Sequence, residues 1–251
     1  MDRDGFAVFP HDPAVALWAQ AAARVAAELA NDPVNRAENL RHNETWFVGV
    51  DLLPNAPDGA IGGVPLSGAW RAHVPDLPLH PAQLSIIYPG YPKRDPQESE
   101  ANHRYRVTRL AAHVDGLLPV GPRRRRFAKE FHAYILSLPL TAVRAAPTVV
   151  WRGSHKIMQA ALGKAIGSRE PSKVDVTEDY HAARRVVFET CEAVPLHIRV
   201  GEAALIHRFA LHGTDVWDAS IGDNTPRGRM NAFFRPEFSA AEWLAPDPQT
   251  P

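Results

Sequence analysis

The amino-acid sequence predicts a mainly β protein, an antiparallel sandwich flanked by a few helices. Short apolar and aromatic segments recur along the 251 residues, grouped together rather than alternating one for one with helices. That grouping favours a sandwich over a doubly wound sheet. The chain also carries no glycine-rich dinucleotide fingerprint and no phosphate-binding loop. With 23 prolines and 16 glycines, many turns and long connections are expected between the strands.

The N-terminal half is predicted to begin with a strand over residues 5–9, followed by a helix. Asp12 is a favourable N-cap, and Pro13 sits in the first turn, where its missing N–H is not needed. One helical face is apolar, and the pattern ends at residues 31–33 (the face comprises Val15, Trp18, Ala22, Val25 and Leu29). A region dense in proline and glycine follows, interrupted by one apolar strand at residues 83–88.

The C-terminal half is predicted to contain further strands and two helices. The strands are expected over residues 130–136, 148–151, 195–200, 203–207 and 229–235, and the helices over residues 156–165 and 177–190. Ser154 is expected to cap the first of these helices. The Gly201-Glu202 turn predicts that the strands on either side of it form a hairpin leading to His212.

Composition narrows the class of protein. Lysine plus arginine equals aspartate plus glutamate at 28 each, so no global field attracts nucleic acid or a membrane surface. The single cysteine, Cys191, excludes a disulfide framework and a cysteine-based zinc cluster, and it fits a reducing compartment. Because the N-terminus shows no signal peptide or transmembrane segment, we expect a cytoplasmic protein with one domain over residues 1–251. No pattern indicates an oligomeric state.

His113-Val114-Asp115, together with the distant His212, is the most informative pattern in the chain. Along an extended segment, residues i and i+2 point the same way, so His113 and Asp115 can bind one ion while Val114 packs behind them. Two imidazoles and one carboxylate are the ligand set of the facial triad that holds non-haem Fe(II). The alternative is that these are unrelated surface residues, with Asp115 serving as a helix cap.

Four segments occur in a fixed order that resembles a known family. They are residues 113–116, 151–156, 200–207, and 212–214 with the arginine-containing strand after it. From the opening strand to about Phe238, the chain resembles the phytanoyl-CoA dioxygenase family of Fe(II)/2-oxoglutarate oxygenases. The resemblance implies a double-stranded β-helix, a jelly roll related to the cupins. It also implies His113, Asp115 and His212 as ligands of Fe(II), with 2-oxoglutarate and O₂ as co-substrates.

The resemblance further implies an arginine after the distal histidine that binds the far carboxylate of 2-oxoglutarate. Arg229 directly opens the apolar stretch of the last strand and is favoured, although the intervening segment, residues 215–226, is longer than usual. Arg227 has the same parity and is the alternative if the strand begins earlier. A guanidinium suits this task because its planar geometry matches a carboxylate bidentately. Thr214 is a second candidate, as a hydroxyl donor to the same co-substrate.

The activity implied is hydroxylation of a small metabolite with release of succinate and CO₂. The retained Asp115 argues against halogenation, since the related halogenases have a small residue in its place. His155, Tyr88 and Arg106 are candidate substrate contacts. A basic lid would favour an anionic substrate, but a solvated loop is the alternative reading (the lid would comprise His103, Arg104, Arg106, Arg109 and residues 123–126). Nucleic acid is not expected, because no stacking aromatic residues interleave with these arginines.

Two rival functions remain at this stage. One is a cupin-like isomerase or hydrolase that uses Zn²⁺ or Mn²⁺ as a Lewis acid. The other is a non-catalytic small-molecule-binding protein that has kept the fold. The arginine strand argues against the first, and the intact set of three metal-ligand residues argues against the second.

Overall fold

The computed structural model describes residues 1–221, 225 and 227–245, and its strands form two facing sheets. The strands are β1 (Phe6–Phe9), β2 (Leu40–Arg41), β3 (Trp46–Leu53), β4 (Ala82–Ile87), β5 (Leu117–Val120), β6 (Arg125–Ala128), β7 (Tyr134–Pro139), β8 (Thr148–Trp151), β9 (Ala193–Leu196), β10 (Ala203–His207), β11 (His212–Thr214) and β12 (Arg229–Phe234). The helices are α1 (Pro13–Asn31), α2 (Pro33–Asn39), α3 (Glu100–Arg109), α4 (Ser154–Ile166), α5 (Thr177–Thr190) and α6 (Ala240–Trp243). Short 3₁₀ helices lie at Ala69–His73, Pro171–Lys173 and Ala219–Ile221.

The two sheets are antiparallel and pack face to face. The large sheet has the strand order β1-β10-β7-β12-β4-β3-β2, and the small sheet has the order β11-β8-β9. Between them lies a cluster of buried apolar side chains that includes Ile135 and Phe233 from the large sheet and Val150 and Leu196 from the small one. The predicted class is therefore confirmed: the chain is a jelly-roll sandwich of the double-stranded β-helix type with flanking helices.

Helices cover the outer faces of both sheets. On the large sheet, α1 packs its apolar face inward, and the Trp18 ring lies 5.7 Å from that of Phe234. The Asp12 carboxylate accepts a hydrogen bond from the Ala14 amide at 2.8 Å, which confirms the predicted cap. On the small sheet, α4 and α5 pack around Trp151. Among the described residues, no helix combines the length and the apolar character needed to cross a bilayer.

Three local predictions are corrected by the structure. Residues 195–200 and 203–207 do not form a hairpin, because β9 pairs with β8 in the small sheet whereas β10 pairs with β1 and β7 in the large one. The predicted strand at 130–136 begins later, at Tyr134, because the preceding residues pair with the chain after β12. Ser154 does not cap α4; its hydroxyl instead accepts a hydrogen bond from the Leu211 amide at 2.9 Å.

Several elements were missed by the sequence analysis, and their composition explains why. The helix α3 has no buried residue and is dominated by charged side chains, so it shows no apolar periodicity. The strand β3 lies next to β4, where it completes the wall of the sandwich interior, but its ladder is irregular between Gly49 and Leu53. The hairpin β5–β6 forms a separate two-stranded sheet.

Candidate active site

His113, Asp115 and His212 meet at one end of the sandwich. The two histidines are held by the backbone: the His113 amide donates to the His212 carbonyl at 2.9 Å, and the His212 amide donates back to the His113 carbonyl at 3.0 Å. Asp115 follows two residues later, with its Oδ1 3.0 Å from His113 Nε2 and 3.6 Å from His212 Nε2. The three ligand atoms all lie within 4.8 Å of one another, which is the spacing that a single metal ion requires.

The hydrogen bonds of both imidazoles leave the inner nitrogens free to bind a cation. His113 Nδ1 lies 3.0 Å from the Ala111 carbonyl, and His212 Nδ1 lies 2.9 Å from the Ala210 carbonyl. A carbonyl oxygen only accepts, so each Nδ1 carries the proton and donates it. In the neutral rings, both Nε2 lone pairs therefore face the Asp115 carboxylate. Three electron-pair donors directed at one point repel one another unless a cation lies between them, so the site fits a metal ion.

Asp115 is kept ionised by its surroundings. Burial opposes ionisation of this carboxyl group, but the charge of Arg235 and the two imidazoles hold its pKa well below the ordinary value. Arg235 Nε donates to Asp115 Oδ2 at 2.5 Å. The sequence analysis did not single out Arg235. A signal was present, because Arg235 has the same parity as Arg229 along the last strand, but its contact with Asp115 spans 120 residues.

A cavity of about 1020 Å³ extends from the three residues into the sandwich. His113, Asp115 and His212 are among its lining residues, as are Thr148 and Thr214. Aromatic and polar side chains also line the cavity (Trp46, Ser85 and Tyr91). Charged side chains line it as well (Asp51, Arg106, Glu130, Arg235 and Glu237). The volume lies at the upper end of the range for small-molecule sites.

Arg229 is a buried cation at the start of β12, on the interior face of the sheet. Only 6% of the residue is exposed, its Nη1 lies 3.5 Å from Thr148 Oγ1, and its Nε has no hydrogen-bond partner among the described residues. With the Asn231 amide oxygen turned toward it, Nη1 also donates to that neutral group at 3.2 Å. Burial lowers the pKa of Arg229 to about 10, and none of the described carboxylates pairs with it. Arg227, in contrast, is exposed and precedes the strand.

Backbone pairing places the two threonines between the candidate metal ligands and Arg229. In the ladder between β11 and β8, Thr214 is directly opposite Thr148, whose hydroxyl faces Arg229. Thr214 is two residues beyond His212, on the same face of the strand. Gly213 between them permits this arrangement, because a Cβ at that position would lie 2.3 Å from the Leu110 carbonyl oxygen.

The remaining sequence candidates are divided between the cavity and the rest of the molecule. Arg106 lines the cavity, and its guanidinium is 3.4 Å from Glu98. Tyr88 is not among the lining residues and packs against the core cluster on the outer side of the large sheet. His155 is buried beside His207, with its Nε2 3.2 Å from the Asp2 carbonyl, and it does not line the cavity either.

The arginine-rich loop at residues 123–126 lies on the outside. Arg125 is paired with Asp175 at 2.6 Å and with Glu178 at 2.7 Å, and none of the four arginines lines the cavity. Of the predicted basic lid, only Arg106 lines the cavity. The lining also includes the carboxylates Asp51, Glu130 and Glu237, so the cavity is not a uniformly basic surface.

The structure has the jelly-roll architecture and the three converging side chains that the sequence resemblance implies. Solved structures of similar fold include EctD from S. alaskensis with 2-oxoglutarate and 5-hydroxyectoine, with 19% identity, a TM-score of 0.44, and coverage of 93% of this chain and 72% of EctD. SnoK, a non-haem α-ketoglutarate-dependent carbocyclase from nogalamycin biosynthesis, has 14% identity, a TM-score of 0.49, and coverage of 99% and 89%. AviO1 from Streptomyces viridochromogenes Tue57 has 17% identity, a TM-score of 0.48, and coverage of 98% and 94%.

Sequence comparison finds no relative: no family model matches the chain, and no curated protein matches it. Because identities lie below 20% and TM-scores below 0.5, the similar structures carry no statement about reaction or substrate. The chemistry is therefore inferred from the residues of this chain.

Proposed function

We propose that this protein is an Fe(II)- and 2-oxoglutarate-dependent dioxygenase that hydroxylates a small metabolite. One observation carries the proposal: three metal-ligand residues line the cavity, and Arg229, a buried arginine with no counter-ion among the described residues, contacts Thr148 of the same lining. Either feature alone is compatible with other functions. Together they match a co-substrate that chelates a metal at one end and carries a second carboxylate at the other.

The metal-ligand set fits Fe(II). Two neutral imidazole nitrogens and one ionised carboxylate oxygen, contributed by His113, His212 and Asp115, would hold Fe(II), and three protein ligands would leave the ion able to bind co-substrates as well. When bound, Fe(II) supplies the activation of O₂ that couples conversion of 2-oxoglutarate to succinate and CO₂ with oxidation of a substrate C–H bond. The protein's own share is to orient the ligands and the substrate and to exclude water.

Arg229 fits the far carboxylate of 2-oxoglutarate. A guanidinium buried without a counter-ion is destabilised, and an anion that docks against it offsets that desolvation. Thr148 and Thr214, opposite each other in the ladder, present hydroxyl groups beside the same position. The exposure of Arg227 favours Arg229 for this role.

The substrate is proposed to be a small molecule, since the cavity of about 1020 Å³ is large enough for one and Arg125 of the arginine-rich loop is paired with Asp175. An anionic substrate has weak support, because Arg106 is the only member of the predicted basic lid that lines the cavity and Glu98 already neutralises it. Nucleic acid is not proposed as a partner. A cytoplasmic location stays a prediction from composition.

The Lewis-acid rival explains the metal ligands but not Arg229. An isomerase or hydrolase that uses Zn²⁺ or Mn²⁺ has no need for a buried cation reserved for a second carboxylate, and burial of an unpaired charge costs stability. The non-catalytic rival does not explain why all three metal-ligand residues are present together.

Anaerobic titration tests the proposal directly. Addition of Fe(II) and then 2-oxoglutarate to the metal-free protein should produce a weak charge-transfer band in the visible range. The Asp115→Ala variant serves as control and should give no such band. A protein that binds iron tightly but stays colourless with saturating 2-oxoglutarate would support the Lewis-acid rival instead.

A further inference from the structure

Arg235, immediately after β12, contacts the carboxylate of the metal-ligand set rather than solvent. Its Nε lies 2.5 Å from Asp115 Oδ2, and only 17% of the Arg235 side chain is exposed, against 10% for Asp115. An ion pair this buried differs from a surface salt bridge, because water screens it little.

Groups that do not touch Asp115 hold Arg235 in place. Its Nη1 donates to the Gln83 side-chain oxygen at 2.7 Å, and its backbone amide donates to His80 Nε2 at 3.0 Å. The guanidinium also lies over the Phe233 ring, 5.4 Å from the centroid. The arginine is thus oriented by the large sheet, while Asp115 belongs to the segment that pairs with the small sheet.

Because of this contact, the two carboxylate oxygens of Asp115 have different partners. Oδ1 faces both imidazoles, at 3.0 and 3.6 Å, whereas Oδ2 accepts from Arg235. A carboxylate without such a partner rotates freely about its last bond and can bind a metal through either oxygen or through both. With Oδ2 held by Arg235, Oδ1 is the oxygen that is directed at the two imidazoles.

We propose that Arg235 is a positioning residue that makes Asp115 a one-oxygen ligand, so that Asp115 would not occupy a second position on a bound ion that the co-substrate needs. The inference rests on the metal site of the proposed function. It assigns to β12 two separate tasks: Arg229 near its start binds the co-substrate, and Arg235 just past its end orients a metal ligand.

If Arg235 acted only through its charge, its removal would change metal affinity in the opposite direction. A cation near a metal site repels the metal, so its removal by itself strengthens metal binding. Loss of orientation weakens metal binding, because a carboxylate without its partner rotates, and the loss of such outer partners typically costs about 10–100-fold in metal affinity. The direction of the change therefore distinguishes positioning from mere charge balance.

The experiment measures Mn²⁺ affinity, with Mn²⁺ as an air-stable probe of the site, by electron paramagnetic resonance of the wild type, Arg235→Gln and Arg235→Lys. We expect Arg235→Gln to bind roughly 10–100-fold more weakly. Arg235→Lys should fall in between, because lysine restores the charge but not the planar two-nitrogen contact with Asp115 and Gln83. The Fe(II)–2-oxoglutarate band of Arg235→Gln should also shift in position, since the carboxylate then binds differently.

Arg208 provides a matched control. It is also buried, at 3% exposure, but its Nε donates to the Trp243 carbonyl and its Nη2 donates to the Ala245 carbonyl, both at 2.9 Å. Arg208→Gln should lower the unfolding temperature while the Mn²⁺ affinity of the folded protein stays at the wild-type value. A parallel loss of affinity in both variants would reduce the Arg235 effect to general destabilisation and overturn the inference.

Failure of the inference and failure of the proposed function give different results. If the wild type binds Mn²⁺ and Arg235→Gln binds it equally or more tightly, Arg235 is not a positioning residue but the oxygenase proposal stands. If the wild type itself binds no Mn²⁺ and no Fe(II), the metal site and everything built on it fail together.

Discussion

Two arginines at opposite ends of β12 show how one strand produces two different electrostatic environments. Arg229 and Arg235 have the same parity and are separated by six residues, a distance of about 20 Å along an extended chain. Arg229 is buried and has no counter-ion among the described residues, whereas Arg235 is paired with Asp115. Identical side chains on one face of one strand therefore have opposite consequences for the free protein: the first is a cost to stability and the second offsets the cost of a buried carboxylate.

The difference lies in what each end of the strand faces. At the Arg229 end, the neighbours are neutral groups, chiefly Thr148 and Tyr91, and burial lowers the arginine's pKa to about 10. At the Arg235 end, a carboxylate is already in contact, and it keeps a pKa well below its ordinary value despite its burial. An unsatisfied buried charge is a candidate position for a ligand, whereas a satisfied one indicates internal organisation.

The largest effect is expected from removal of the carboxylate that Arg235 orients. Asp115→Ala should abolish metal-dependent formation of succinate from 2-oxoglutarate, because two imidazoles alone hold Fe(II) too weakly. The assay is succinate production with added Fe(II). Asp218→Ala, at an exposed position whose carboxylate accepts hydrogen bonds from Ser220 and from no other described residue, should retain wild-type turnover. Residual iron-dependent turnover in Asp115→Ala would remove Asp115 from the site.

Next in size is the effect at the other end of the strand. Arg229→Met should raise the KM for 2-oxoglutarate by on the order of a hundredfold or more, because truncation of a buried charge partner costs about 2–5 kcal/mol. Arg227→Met, two residues earlier and exposed, should change it less than twofold in steady-state kinetics. The reverse ranking would transfer the co-substrate role to Arg227.

The stability of the metal-free protein gives a third test of the comparison. Here the substitutions at the two ends of the strand should change the free energy of unfolding in different directions. Arg235→Met leaves the buried Asp115 charge unpaired and should reduce the free energy of unfolding by about 3–5 kcal/mol. Arg229→Met removes a buried charge that none of the described carboxylates neutralises, and it should leave the free energy unchanged or raise it by about 1 kcal/mol. Chemical denaturation without metal or 2-oxoglutarate measures both. If both variants lose stability equally, Arg229 has a counter-ion in the free protein.

The smallest effect is expected at Thr214. Thr214→Val keeps the shape of the side chain but removes its hydroxyl, so the KM for 2-oxoglutarate should rise by roughly fivefold, the equivalent of about 1 kcal/mol for one hydrogen bond. Thr214→Ser should recover most of the loss. Equal KM values for all three proteins would show that Thr214 does not donate to the co-substrate.

The sequence predicted those parts of the fold that depend on local signals. The cap at Asp12, the apolar face with Trp18 and the bounds of β8 and α5 all follow from spacing and cap chemistry within a few residues. The hairpin around Gly201 was wrong for the complementary reason. A turn signal shows that the chain bends, but it does not reveal that the flanking strands pair in different sheets.

The site shows the same division between local and distant information. The His-x-Asp spacing placed two of the converging residues, and a family resemblance was needed for His212, which lies about a hundred residues away in sequence. Parity along the last strand was available for Arg235, as it was for Arg229. What could not be read from the sequence is the partner of each arginine, because contact with Asp115 depends on how the two sheets face each other.

The reciprocal amide–carbonyl bonds between His113 and His212 have a consequence for exchange of the ion itself. Since the main chain sets the separation of the two imidazoles, the arrangement persists when nothing is coordinated, and little conformational entropy is lost on loading. A chelator should therefore remove a bound metal ion without unfolding the protein. The metal-free protein should then bind a different divalent ion within the time of mixing.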